Sequence, residues 1–511
     1  MIKKLISLLL AALFIFVLTA CGPRGAAAPA ARTGEPVRVD SLTVVVAGEP
    51  ATLDSSRANH ENISLIFAFI GDGLFQMNSD GTYSTRLAES WEMEDDVTMR
   101  IRLKPGIRFS DGSPLTAHDV LWHYIRTSQQ AVSRSQFMFI DPVNSFVEDD
   151  LNLVLRFTQP WSPAINSFAT GRGMIPSKAA YERMDEAAFS RAPVMTGPFR
   201  VVNWVSGSHI TLAANEYYWR GTPNFRNVTI RFIGEPASRV IELETGGADI
   251  AFFIEGSDIA RVNAIPGYSI VLGDSFRYFV LILSMQEPLF QNRDVRVALT
   301  YAIDQHALVE AVTDGIGTVI YTMGPPLVIE GMMEMPPIPF DVARARELMA
   351  GAGFPNGFTI ELHVEPQPIF QRMAEVIQAM WAEIGVQANI VVSTLATHEA
   401  QTGGRWQASI RDGTAQVVEN VWTIYESAFG SRMQGNDPWI DENLLRLRAH
   451  YAGDPIRYQL LEEMANHLFY IRFTYPIMTM PSIYGVSDNL RGFEFYPSPG
   501  ALSVWNWALY R

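Results

Sequence analysis

Cysteine is almost missing from this chain: one stands in 511 residues, at Cys21. A lone cysteine forms no internal disulfide, and it rules out paired-thiol redox motifs and zinc sites built on CxxC. Positive charge is also short. Thirty-nine Lys and Arg face 54 Asp and Glu, a net −15. Loss of Lys3 and Lys4 with a leader would deepen it to −17. Nucleic-acid binding draws on a basic patch that releases counterions, so the charge argues against that class. No long apolar run follows Val17, so no further segment reads as a membrane span. Walker, GxGxxG, GxSxG and HExxH patterns are all absent, which removes the signatures of common nucleotide-binding and hydrolytic sites. The expectation is a protein that is not an enzyme and carries no cofactor and no metal.

What is present is enough to fold. Nearly half the residues are apolar and 11% are aromatic, and this length calls for two or three domains. Met1–Lys4 is a short basic start, Leu5–Val17 an apolar stretch too short for a comfortable span, and Leu18-Thr19-Ala20-Cys21 follows. That order reads as a signal peptide over 1–20. The tetrad resembles the bacterial lipobox, which implies acylation of Cys21 and a membrane anchor. Residues 21–40, rich in Ala, Gly and Pro, read as a flexible tether.

Beyond it, Leu42–Ala47 (LTVVVA) reads as a strand buried on both faces. Val97 to Leu103 alternates as a half-buried strand, and Pro105-Gly106 is expected to turn it into a second one through Ile107 and Phe109. Leu151 to Phe157 and Val228 to Phe232 alternate likewise. Thr116 to Asp119 is a capping-box start for a helix carrying Val120, Leu121, Tyr124 and Ile125. Asp294 to Val312 reads as one long helix. Met373, Val376, Ile377, Met380, Trp381 and Ile384 form one apolar helical face that Gly385 ends. Strands and helices mix along the whole chain, so the class is α/β. Met332, Met333 and Met335 read as apolar filler in preference to a soft-metal site.

Several blocks carry a resemblance. They are Leu87–Trp91 (LAESW), Phe109–Val120 (FSDGSPLTAHDV), Thr196–Phe199 (TGPF) with Asn215–Trp219 (NEYYW), Asn292–Asp304 (NRDVRVALTYAID) and Ala350–Phe358 (AGAGFPNGF). In this order the chain resembles the bacterial extracellular solute-binding proteins of family 5, the oligopeptide-, dipeptide- and nickel-binding lipoproteins of ABC importers. The likeness covers roughly residues 42–395. Each block also has a plain structural reading as turn, cap or scaffold.

The resemblance implies a two-lobed periplasmic-binding-protein-like fold of the large peptide-binding class, with an extra subdomain on one lobe. Lobe I would take 41–75, 193–272 and 482–511, the subdomain 76–192, and lobe II 273–481. It further implies a monomer that captures a solute, foremost an oligopeptide or dipeptide, between hinged lobes. The solute would pass to ABC importer permease subunits from an extracytoplasmic, lipid-anchored position, periplasmic or at the cell surface.

Peptide-binding members place an acidic residue of lobe II on the peptide α-amine, within a "W..DYPDP" pattern. Here the stretch after Trp406 reads Arg411-Asp412-Gly413-Thr414 and lacks that pattern. Metal chelates, sugars and opine-like conjugates therefore stay open as ligands, and ligand sensing stays open as a role. Asp412 is the leading candidate for a ligand cation, with Glu419 second. Arg411 is the candidate for a carboxylate, because a guanidinium offers a two-pronged donor. Trp422 and Tyr425 are candidates for an apolar or stacking wall. Asn59 and His60 are candidates from lobe I.

Overall fold

A computed structural model describes residues 37–57, 61–130, 133–322, 324, 335–394, 397–398, 405–423, 425, 437–451 and 453–511. The chain divides into two units. In one, Val37 and Arg511 exchange backbone hydrogen bonds of 3.0 and 2.9 Å. Residues 39–509 make up the other, and it holds the three largest sheets.

Ser41–Val46 lies inside a seven-stranded sheet, parallel to Asn227–Phe232 on one side and to Ile250–Ala251 on the other. Its β-branched run has the expected cause. Leu42, Val44 and Val46 enter the largest apolar cluster, while Val45 enters a separate one beneath the helix Pro236–Glu244. A strand covered on both faces has no polar face to alternate with. Phe199–Val205, His209–Ala214, Tyr268–Gly273 and Ser482–Ser487 complete the sheet.

Ala88–Asp95, Thr98–Leu103, Asn152–Arg156 and Phe146–Val147 form a four-stranded antiparallel sheet with its own core. The helix Ala117–Ser128 begins as the capping box requires: the Asp119 carboxylate accepts from Thr116 N–H (3.0 Å) and from its hydroxyl (2.9 Å). One expectation fails here. After the Pro105-Gly106 turn there is no second strand through Ile107 and Phe109, only a single bridge between Arg108 and Pro114. Thr98–Leu103 already has Ala88–Asp95 and Asn152–Arg156 as its two neighbours, so neither side is left for a hairpin partner.

The third sheet is six-stranded, in the order Thr318–Val319, Thr474–Thr479, Arg277–Leu283, Ala408–Thr414, Thr359–Val364, Gln387–Val392. Phe279, Leu281 and Leu283 share one core with the helices Arg293–Tyr301, Gln305–Thr313, Val342–Gly351 and Pro368–Ala382. Tyr278, Val280 and Ile282 point the other way and join the largest cluster. The expected single helix over 294–312 is two helices. Ala302 caps the first, and the Asp304 side chain starts the second by accepting from Ala307 N–H at 3.0 Å. Gly357 and Gly385 hold the neighbouring loops back to back, both at positive φ. A β-carbon on Gly357 would fall 2.0 Å from the Gly385 carbonyl oxygen, a space only glycine leaves open.

The chain passes between the seven- and six-stranded sheets twice, at 274–276 and at 480–481. The two passages are tied together. The Ser275 hydroxyl donates to the Met480 carbonyl and accepts from Arg277 N–H at 3.1 Å.

Candidate functional site

Successive side chains of a strand point to opposite faces, and this separates Asp412 from Arg411. In the antiparallel register Phe279 lies opposite Asp412 and Val280 opposite Arg411. Asp412 therefore shares the helix-covered face with Phe279. Its carboxylate takes a hydrogen bond from Arg277 Nε at 2.8 Å, and the Arg277 guanidinium lies 4.7 Å from the Phe279 ring centre. Both partners are about one-third exposed. Arg411 shares the opposite face with Val280. The structure does not bring Arg411 and Asp412 together.

Arg411 is 8% exposed. Glu365 Oε1 lies 3.8 Å from its Nη1, and the guanidinium is 5.8 Å from the Trp406 ring centre. His363 stands on the same face. Ile360, Leu362 and Val364 of its strand are in the helix-backed core, so His363 turns away from it, level with Ser409 in the parallel register. Its Nε2 is 2.8 Å from Ser393 Oγ, and its ring centre is 4.1 Å from that of His398. His398 in turn meets the Arg405 carbonyl at 2.8 Å. Among the described residues, nothing hydrogen-bonds the buried His363 Nδ1. Burial first, then the neighbouring Arg411 and His398, push the His363 pKa down to about 4. The cluster thus keeps a buried cation, a neutral imidazole and a carboxylate on one face, which suits an acidic or zwitterionic guest.

A second polar group follows the same strand. Gln416 Oε1 accepts from Asn166 Nδ2 (3.4 Å), which also donates to the Tyr83 hydroxyl (2.7 Å), while Gln416 Nε2 donates to Ser498 Oγ (3.0 Å). One amide therefore joins the end of the six-stranded sheet's strand to two distant parts of the chain. His363, Glu365, Gln416 and Asn166 were not among the candidates chosen from sequence. The pattern Ile360-x-Leu362-His363-Val364 held a usable signal, since strand alternation alone turns His363 away from the core.

Trp422 and Tyr425 are not an open wall. Both are buried in the largest cluster, and the Tyr425 ring meets Phe473 edge-on at 5.6 Å. Glu419 belongs to the helix Val418–Thr423, and its side chain lies outside the described residues, as do Asn59, His60 and Cys21. Met335 is buried in the core, as filler should be, while Met332 and Met333 also lie outside. Among the described residues no group of three or more His, Cys, Asp or Glu is placed to hold a metal, and no helix is long and apolar enough to cross a membrane.

The family model for bacterial extracellular solute-binding proteins, family 5 (middle), matches residues 82–435. The glutathione-binding protein GsiB of Escherichia coli strain K12 is 25% identical over 484 residues, covering 90% of this chain and 93% of that protein. The periplasmic binding protein DppA of Helicobacter pylori, solved with the peptide STSA, superposes with a TM-score of 0.79 at 19% identity, over 92% of this chain and 98% of that one. The binding protein AgaA of A. tumefaciens R10, solved with agropinic acid, gives 0.77 at 23%, over 92% and 99%. The mixed α/β fold is thus that of the two-lobed binding proteins.

Proposed function

As the chain belongs to the bacterial extracellular solute-binding proteins of family 5, we propose that it captures a short peptide or peptide conjugate between two lobes and delivers it to the permease of an ABC importer. The lobes would be 41–75 with 193–272 and 482–511, and 273–481, with 76–192 as the added subdomain. The two chain passages at 274–276 and 480–481 then serve as the hinge. Cys21 would carry the lipid anchor outside the cytoplasm. The protein's part is affinity and release, without turnover.

The observation that supports this reading is the buried Arg411 on the sheet face opposite the helix-backed core, with Glu365 only 3.8 Å away. A guanidinium so placed suits a ligand carboxylate, and the carboxylate beside it suits a ligand amine. The names of the relatives agree in kind, since glutathione, a peptide and agropinic acid all carry carboxylates. Titration calorimetry with glutathione and with di- and tripeptides tests it. At least one should bind, and Arg411→Ala should weaken it by roughly 10- to 100-fold, the worth of a hydrogen bond to a charged group. If none binds the wild-type protein, the peptide reading fails. If one binds with unchanged affinity to Arg411→Ala, the site lies elsewhere.

A further inference from the structure

Residues 277–479, which hold the six-stranded sheet, leave the rest of the body through the two short passages of chain at 274–276 and 480–481. A segment from the four-stranded part also grips them, and that segment is firmly rooted. Trp161, Ala164, Phe168 and Ala169, in the turn and helix 161–169, are buried in the core of the four-stranded sheet. The Phe168 ring stacks on Tyr124 at 4.4 Å. Two glycines let the chain come close. A β-carbon on Gly73 or Gly173 would fall 2.5 Å from the Phe168 carbonyl oxygen.

The same short segment meets residues 277–479 at two points. Ser162 N–H donates to the Arg448 carbonyl at 3.0 Å. Arg448 closes the helix Pro438–Arg448, and the last carbonyls of a helix have no partner within it. Arg457 Nη1 donates to the Ser162 hydroxyl at 3.4 Å and to the His450 carbonyl at 2.9 Å. The Arg448 guanidinium lies 5.3 Å from the ring centre of Phe139, which shares its core with Trp161. Arg448 and Arg457 are both buried. Four residues after Ser162, Asn166 Nδ2 donates to Gln416 Oε1 at 3.4 Å, and Gln416 Nε2 donates to Ser498 Oγ at 3.0 Å. Every one of these bonds joins parts of the chain that only the two passages link covalently.

We propose that residues 161–169 are a clasp with which the added subdomain holds lobe II in the closed arrangement. This rests on the two-lobe reading above. Bonds that cross between lobes exist only while the lobes are closed, so they enter one side of the opening equilibrium. The clasp therefore sets the fraction of closed molecules. It acts on every captured guest alike, because a smaller closed fraction lowers every apparent affinity by the same factor. Arg411, in contrast, would act on the guest that it touches.

The test is small-angle X-ray scattering of the full protein without added guest. Wild type is compared with the double variant Ser162→Ala, Gln416→Ala. The double variant gives up the Arg457 bond to Ser162 and both bonds of Gln416. Each is worth roughly 2- to 12-fold in the closed-to-open ratio, so that ratio should fall by tenfold or more and the radius of gyration should rise. Gln416→Ala alone should move it the same way by less, and it serves as the reading if the double variant does not fold. Thr170→Ala is the control. It removes a bond to the Ser167 carbonyl within the same segment (2.8 Å) and should leave the curve of wild type unchanged. Identical curves for wild type and the double variant would overturn the proposal, as would an equal expansion in Thr170→Ala. Scattering needs no guest, so a failure of the peptide reading in calorimetry leaves this test standing.

Discussion

Two parts of the molecule bury charge in opposite ways. Around residues 54–219, buried carboxylates are closed against their own cations. Asp72 and Arg86, both almost fully buried, form an ion pair, and Asp72 also accepts from Trp219 Nε1 (2.9 Å) while Arg86 Nη1 donates to Gln76 (3.1 Å). Asp54 takes both prongs of Arg126 and two bonds from Ser56. Burial raises its pKa, but the bonded Arg126 lowers it further, so it stays below the usual carboxylate range. Around residues 363–472 the pattern is looser. Among the described residues His363 Nδ1 has no hydrogen-bond partner and no carboxylate pairs with Arg472. A closed pair fixes the scaffold. A looser one leaves free energy available to a molecule arriving from outside.

The largest break in that contrast comes from the closed side. Asp72→Ala strands Arg86 in the core and should destabilise the protein by roughly 3–5 kcal/mol, read by urea denaturation. Replacing both partners, Asp72→Ala with Arg86→Met, should recover much of the loss, because no unpaired charge remains. A single-variant loss below about 1 kcal/mol would mean the pair is solvated, and the contrast would dissolve.

Acid should act on both sides, because burial pushes His123 of the closed region down to about 4 as well. The native His363 takes up its proton only near pH 4, whereas the unfolded chain takes it up near the ordinary value of about 6.5. Between those values the unfolded state binds more protons, so stability falls as pH falls, by at most about 1.4 kcal/mol per pH unit. Arg411 and His398 push in this direction, and Glu365, next to Arg411, is the carboxylate of the same cluster. His363→Gln should flatten the stability curve in this window. Asp54 works in the same sense at lower pH. Its depressed pKa gives stability that is present above the ordinary carboxylate value and is lost as pH falls through the lower native one. An unaltered slope for His363→Gln between pH 6.5 and 4 would show that the imidazole is not held neutral.

How much of this was readable beforehand depends on the range of the interaction. Local signals succeeded. The capping box at Thr116, the doubly covered strand Ser41–Val46 and the helix Pro368–Ala382 each follow from residues within a few positions of one another. The order of the motif blocks identified the family, and with it the two-lobed fold. Misses came where a competing partner or cap decides. The strand through Ile107 failed because the edges of Thr98–Leu103 were taken by the preceding Ala88–Asp95 and by the more distant Asn152–Arg156. The break after Ala302 turned on Asp304 acting as a cap inside an apolar pattern. No local rule pairs Asp72 with Arg86, or Asn166 with Gln416 250 residues away.

Strand alternation sorts the candidates chosen from sequence. Arg411 was chosen for its chemistry and lies on the face opposite the helix-backed core. Asp412 was chosen for the same reason, yet the alternation already divided the two. Ala408 and Ile410 are the apolar positions of the strand, and both enter the helix-backed core. Asp412 continues their face, and Arg411 the other. The smallest predicted effect follows from this. Asp412→Asn gives up one partly exposed ion pair with Arg277, worth about 0.2–1 kcal/mol after solvent screening. It should leave affinity for the captured peptide unchanged in the same calorimetric titration that Arg411→Ala weakens. A tenfold loss from Asp412→Asn would mean that the ligand reaches the helix-covered face of the sheet, and the assignment of the ligand to the opposite face would have to be reversed.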